Sequence, residues 1–146
     1  MNNVEFIISK EFPKKVIPLI DNAKFSIDII VYDWRWYPHE PSNPVQLFNQ
    51  AIIRAVRRGV NVRAITYPDD TLAELKFLGV STRKLTQKNL IHCKLMIIDS
   101  EIAILGSHNY TLSAFQSNFE VSVIIKGRDA IQRLIDFYNN IYGTIS

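Results

Sequence analysis

At 146 residues, with 47% apolar and 21% charged side chains, the chain suits one soluble domain spanning 1–146 with a sizeable core. The net charge of +3 permits a polyanionic partner without demanding one. A single cysteine, Cys93, excludes an internal disulfide framework and fits a reducing compartment. The start, MNNVEFIISKEF, lacks the basic start and long apolar run of a secretory leader, and no apolar stretch approaches a membrane span. A cytoplasmic location without stable membrane association is therefore expected.

In chain order, VEFII (4–8) reads as a strand. Residues 12–23 read as a helix with Val16, Leu19, Ile20 and Ala23 on one face, and Pro18 should kink or shorten it. KFSIDIIVY (24–32) is strand-like and rich in β-branched residues. The next helix has clear boundaries. Asn43 caps it, Pro44 takes the first helical position, and Gln46 can complete a capping box. Phe48, Ala51, Ile52, Ala55 and Val56 form its apolar stripe, and Gly59 ends it. A strand at 60–66, a short helix at 69–77 and a strand at 79–85 follow. IHCKLMIID (91–99) and EIAILGS (101–107) are two further strands joined by a turn at Asp99-Ser100, and FEVSVIIK (119–126) is another. A last helix over 128–142 turns Ile131, Leu134, Ile135, Tyr138 and Ile141 inward. This alternation predicts an α/β fold: a mixed, mainly parallel sheet with helices on both faces.

The stretch IHCKLMIID is chemically odd for a buried strand. His92 and Lys94 are two apart and share a face, while Cys93 points the other way as a plain packed thiol. Two cationic groups side by side in a core are unfavourable unless an anion lies between them. A phosphate fits: lysine binds it as a point charge and histidine attacks it or gives it a proton. The following strand ends in Gly106-Ser107-His108-Asn109. There Ser107 and Asn109 supply a hydroxyl and an amide two apart, and His108 alternates away from them. Glu120 opens the next strand, where a carboxylate can hold the second nitrogen of an imidazole.

The spacing His92-x-Lys94-x4-Asp99-x6-Gly106-Ser107-x-Asn109 resembles the HKD signature, with its GSxN extension, of the phospholipase D superfamily. Six fixed identities arise by chance on the order of 10⁻⁸ times per starting position. The flanks AKFSIDIIVY, AIIRAVRRGVNVRAIT and NFE resemble the same domain, so the likeness spans nearly the whole chain except 33–44. It implies phosphodiester chemistry with no metal and no cofactor. His92 would be the nucleophile that forms a phosphohistidine. Lys94 and Asn109 would grip phosphate oxygens, Ser107 would help position the phosphate or a neighbour, Glu120 would orient His92, and Asp99 would chiefly support the strand turn.

In-line displacement needs a nucleophile on one side of phosphorus and a proton donor on the other. One histidine cannot serve both, and neither His39, in a surface loop, nor His108 belongs to a second HxK pattern. A homodimer pairing two copies of His92 across its two-fold axis is the simplest solution, and small bacterial endonuclease-like members of the family resemble this chain in length and single motif.

Three readings follow. The first is a metal-independent nuclease acting on DNA or RNA. In it Trp34, Arg35 and Trp36 grip bases or backbone at the cleft, and Arg83, Lys84 and Lys88 track phosphates. The same aromatics equally suit core or dimer packing, and the basic residues a solvated edge. The second is a phospholipid phosphodiesterase or transphosphatidylase, with Trp34, Trp36 and Tyr37 holding a choline head. The third is a non-catalytic nucleic-acid-binding module. The complete set His92, Lys94, Asn109 and Glu120 argues against that one.

Overall fold

The computed structural model describes residues 3–86 and 92–145. Seven strands form one sheet in the order β1-β7-β6-β5-β2-β3-β4. They are β1 (Val4–Ile8), β2 (Ser26–Ile30), β3 (Asn61–Thr66), β4 (Ser81–Lys84), β5 (Lys94–Ile98), β6 (Ile102–Gly106) and β7 (Val121–Lys126). Helices α1 (Glu11–Asp21), α2 (Pro44–Arg57), α3 (Asp69–Phe77), α4 (Leu112–Gln116) and α5 (Arg128–Thr144) connect and cover them.

The sheet is mixed, as expected, but it is not mainly parallel. Only β2-β3 and β3-β4 run parallel; β1-β7, β7-β6, β6-β5 and β5-β2 are antiparallel. Part of the physical reason lies in the connections. Parallel neighbours need a crossover of a dozen or more residues. α2 and α3 supply such crossovers, whereas β5 and β6 are joined by a tight turn; the β6–β7 connection, residues 107–120, is as long as the β3–β4 connection, residues 67–80, so length does not set its direction. In that turn Asp99 and Ser100 take φ of 56° and 54°, and the Glu101 N–H donates to the Ile98 carbonyl at 3.0 Å. Two consecutive positive φ values belong to the hairpin turn whose twist suits antiparallel strands.

Side-chain alternation splits the core between the two faces. Ile29, Met96, Ile104 and Ile124 pack with Phe12, Val16, Phe48 and Ile52 beneath α1 and α2. Ile30, Leu95, Ile97 and Ala103 pack with Ile131 and Tyr138 of α5. The Tyr138 hydroxyl donates to the Ile29 carbonyl at 3.0 Å, tying α5 to the sheet, and burial holds this phenol well above its ordinary pKa. α1 runs through Pro18 but ends at Asp21. Asn43 caps α2, accepting the Val45 N–H at 2.9 Å. Gln46 does not close a capping box: its Oε1 accepts the Tyr37 N–H at 2.8 Å and so pins the loop before the helix.

Because one helix covers the α5 face, the far end of that face is bare. Phe6, Ile8 and Val121 are 63%, 51% and 53% exposed, beside Leu105 and Val123. No helix among the described residues is long and apolar enough to cross a membrane.

Candidate active site

Strand register gathers the chemistry along one edge of the sheet. Lys94 pairs with Gly106, and Gly106 with Ser122, so the start of β5, the end of β6 and the start of β7 lie side by side. Ile30 pairs with both Leu95 and Ile65, and Thr66 pairs with Lys84, which adds the ends of β2, β3 and β4. Read across, the edge presents Glu120, Ser107, Lys94 with His92, Tyr32, Tyr67 and Lys84.

His92 and Lys94 are not a pair of buried cations. The strand begins only at Lys94; His92 precedes it and is exposed, and Lys94 is half-buried. At a strand's open end His92 keeps its hydration and Lys94 keeps part of it, which eases the conflict read from the sequence. The Lys94 Nζ donates to the His92 carbonyl at 2.8 Å. Cys93 faces the other way into the α5 core, and burial pushes its thiol pKa up. Asn109 is half-buried, and its Oδ1 accepts the Asp33 N–H at 3.4 Å, which leaves its amide hydrogens for an anionic oxygen.

Ser107 and Glu120 form a unit. The Ser107 hydroxyl donates to Glu120 Oε1 at 2.5 Å and accepts the Val121 N–H at 3.0 Å. Glu120 Oε2 accepts from Asn118 at 3.0 Å. The expectation that Glu120 holds the His92 ring is not met among the described contacts. Within one copy its carboxylate is taken up by Ser107 and Asn118. Beside the unit, Gly106 leaves no room for a side chain: a Cβ there would stand 2.4 Å from the Ser122 Cα and 2.5 Å from the Val121 carbonyl. Side-chain-free backbone is what lets β6 approach β7 at this point.

Asp99 lies at the opposite end of β5, about 17 Å away at strand rise. It is no part of the site. Its carboxylate accepts the N–H groups of Lys24, Phe25 and Ser26 at 2.7–3.2 Å. Burial alone would raise its pKa, but these donors hold it below the ordinary carboxylate value. His108 points away from the site, as its alternation implied, and is a core residue. It is 1% exposed, it lies against Phe12 at 4.7 Å, and its two ring nitrogens meet Ser122 Oγ at 2.7 Å and the Ser9 carbonyl at 2.8 Å. Burial depresses its pKa.

The residues expected to bind substrate divide. Trp34 is fully buried, edge-on to Tyr110, with its Nε1 donating to Asn49 at 2.7 Å, so it cannot stack a base. Arg83 points under the sheet, where its guanidinium covers the Tyr142 ring of α5 at 4.2 Å, because alternation along β4 assigns it to that face. Arg35 is exposed, with its Nε 2.7 Å from Asp33 Oδ1. Trp36 is half-buried beside it and lines a groove of about 470 Å³ with Asp33, Tyr37, Pro68 and Asp70. Lys84 is exposed, its Nζ 2.5 Å from Asp69 and 5.6 Å from the Tyr67 ring centre. Lys88 lies outside the described residues.

Sequence reasoning passed over Tyr32 and Tyr67. Their rings stack at 4.8 Å and 11°, and the Tyr32 ring lies 6.5 Å from that of His92 at 14°. The signal was available: IIVYD (29–33) and AITYP (64–68) end neighbouring parallel strands, and each carries its tyrosine at the same offset.

Comparison with known proteins fits this arrangement. The family model described as "Cardiolipin synthase, PLD-like domain" matches residues 16–142. Phospholipase D Y of Dictyostelium discoideum is 31% identical over 126 residues, covering 74% of this chain and 28% of that protein. The chain thus spans under a third of that relative's length. Among solved structures, Nuc from Salmonella typhimurium, a phospholipase D family member, superposes with a TM-score of 0.81 at 21% identity, covering 98% of this chain and 95% of that one. NucT from Helicobacter pylori gives 0.80 at 20% identity, covering 97% and 96%.

Proposed function

Because the chain belongs to the phospholipase D superfamily, we propose that it is a metal-independent nuclease that cuts DNA or RNA through a phosphohistidine in a site built by two copies of the chain. The observation that carries the reading is the assembly of His92, Lys94, Asn109 and the Ser107–Glu120 pair along one sheet edge.

In the proposed reaction the His92 imidazole of one copy attacks phosphorus, and the bond to the leaving oxygen breaks. The protonated His92 of the second copy gives that oxygen a proton. Water then attacks the phosphohistidine and returns a proton to the second copy, releasing the first ring. Lys94 and Asn109 offset the charge that builds on the non-bridging oxygens. Glu120 positions the Ser107 hydroxyl.

The second copy is supported by the bare apolar end of the α5 face. Phe6, Ile8, Leu105, Val121 and Val123 reach up to Gly106 and Ser107, so a copy seated there would lie against the site. Nucleic acid is favoured by the polar, aromatic groove beside His92. A lipid phosphodiesterase or transphosphatidylase is the second reading, favoured by the family description.

The test offers single-stranded DNA, RNA and cardiolipin vesicles to wild type and His92→Ala in excess EDTA, with mass measured in solution. Histidine-dependent cleavage of an oligonucleotide by a dimer is expected. Turnover of the vesicles alone, or equal cutting by both proteins, would overturn the nuclease reading.

A further inference from the structure

Tyr32 and Tyr67 stack on one another at the rim beside His92, and the mechanism leaves them unused. Tyr32 is 42% exposed, so part of an aromatic ring is open to solvent next to the proposed nucleophile. A groove of about 320 Å³ runs past both rings, lined by Asp33, Arg35, Pro68, Asp69 and Asp70. We infer that this groove receives the unstacked base of a nucleotide adjoining the scissile phosphate, with Tyr32 as its stacking surface, so that single strands are the substrate form. The inference rests on the nuclease reading for what is cut, but not for what is bound.

Three observations converge on a base rather than on backbone or a cation. First, register-matched strand ends and the Tyr67 N–H to Tyr32 carbonyl bond fix the two rings together, which gives a flat, preorganised surface. Every base has a π-face, so such a surface binds without sequence preference. Second, the groove walls carry three carboxylates. Arg35 pairs with Asp33 and Lys84 with Asp69, while no ion pair is described for Asp70. A phosphate running through this groove would meet net negative charge, whereas a neutral base would not, and its amino groups would find acceptors. Third, the tyrosines face one another rather than surrounding a space. A quaternary ammonium is held by aromatic rings on several sides. Here one ring of the pair is spent on the other. A base in a duplex cannot reach such a surface without leaving its stack, which is why the groove points to single strands.

The test measures binding in EDTA, so it does not depend on turnover. A labelled single-stranded DNA and a strand of the same length and charge made of abasic residues are titrated into wild type, Tyr32→Ala and Tyr32→Phe. Stacking of one base is worth about a tenfold change in affinity. Wild type and Tyr32→Phe are expected to prefer the intact strand about tenfold, and Tyr32→Ala to lose that preference while binding the abasic strand as wild type does. Equal affinity of wild type for both strands would overturn the inference, as would an undiminished preference in Tyr32→Ala. Displacement of the intact strand by phosphocholine at lower concentration than by a mononucleotide would also overturn it, in favour of a headgroup site. A protein that shows the base preference yet never cuts would defeat the nuclease reading alone.

Discussion

Replacing Asp99 by alanine separates stability from chemistry. Its carboxylate accepts from three consecutive amides, Lys24, Phe25 and Ser26. A hydrogen bond to a charged group contributes about 1.5–3 kcal/mol when buried. Lys24 and Phe25 are exposed, so water replaces most of what they lose, while the Ser26 amide is half-buried. About 2 kcal/mol is then lost from the bonds. Alanine at φ of 56° adds about 1–2 kcal/mol, because aspartate tolerates the left-handed region better. The sum, about 3–4 kcal/mol, lowers Tm by about 6–16 °C for a domain of this size. Activity measured well below Tm should stay within about twofold, since β5 separates Asp99 from Lys94 by about 17 Å. Thermal melting and phosphodiester cleavage on the same preparation check both halves. The folded pKa is held down, so the stabilisation is present above the unfolded value of about 3.9 and is lost as pH falls through the folded pKa. The Tm gap should therefore narrow in strong acid to the part that comes from alanine at φ of 56°. An unmoved Tm with a hundredfold loss of activity would refute the reasoning and place Asp99 in the reaction.

Three other outcomes are expected. Gly106→Ala forces a methyl to within 2.4 Å of Ser122; it should cost at least about 1–3 kcal/mol in a melt and lower activity more than Tm alone explains, because Ser107 and Glu120 shift with the strands. His108 is buried neutral with a depressed pKa, so its contribution is complete above the unfolded value of about 6.5 and is lost as pH falls below it. Tm should drop between pH 7 and 5.5, and less so in His108→Gln. Phe6→Glu places a charge on the bare apolar strip; sedimentation should show a monomer with wild-type melting and with activity lost in proportion to dimer.

Much of the fold could be read from the sequence because each element carried its own local signal. Asn43-Pro44 and Gly59 bracket α2, and the β-branched runs mark β2, β3 and β5. Strand direction is not legible in the alternation of β and α: the connections 67–80 and 107–120 each carry a helix and are equal in length, yet the first joins parallel strands and the second antiparallel ones. The motif residues were legible through spacing, and the structure brings His92, Lys94, Ser107, Asn109 and Glu120 to one edge. Two things were hidden. Which residue Glu120 touches depends on β6 lying between β7 and β5, a fact of strand order. Whether an aromatic is buried depends on its partners: Trp34 finds Asn49 on α2, while Tyr32, two residues earlier, emerges beside His92.

The central claim is that His92 forms the covalent bond to phosphorus. In excess EDTA, wild-type protein mixed with an internally labelled single-stranded oligonucleotide and quenched within the first turnover should carry label on the peptide containing His92. The bond should be acid-labile, and the label absent from His92→Asn. Cutting that proceeds at full rate with no label on that peptide, or with label on another residue, would contradict the account.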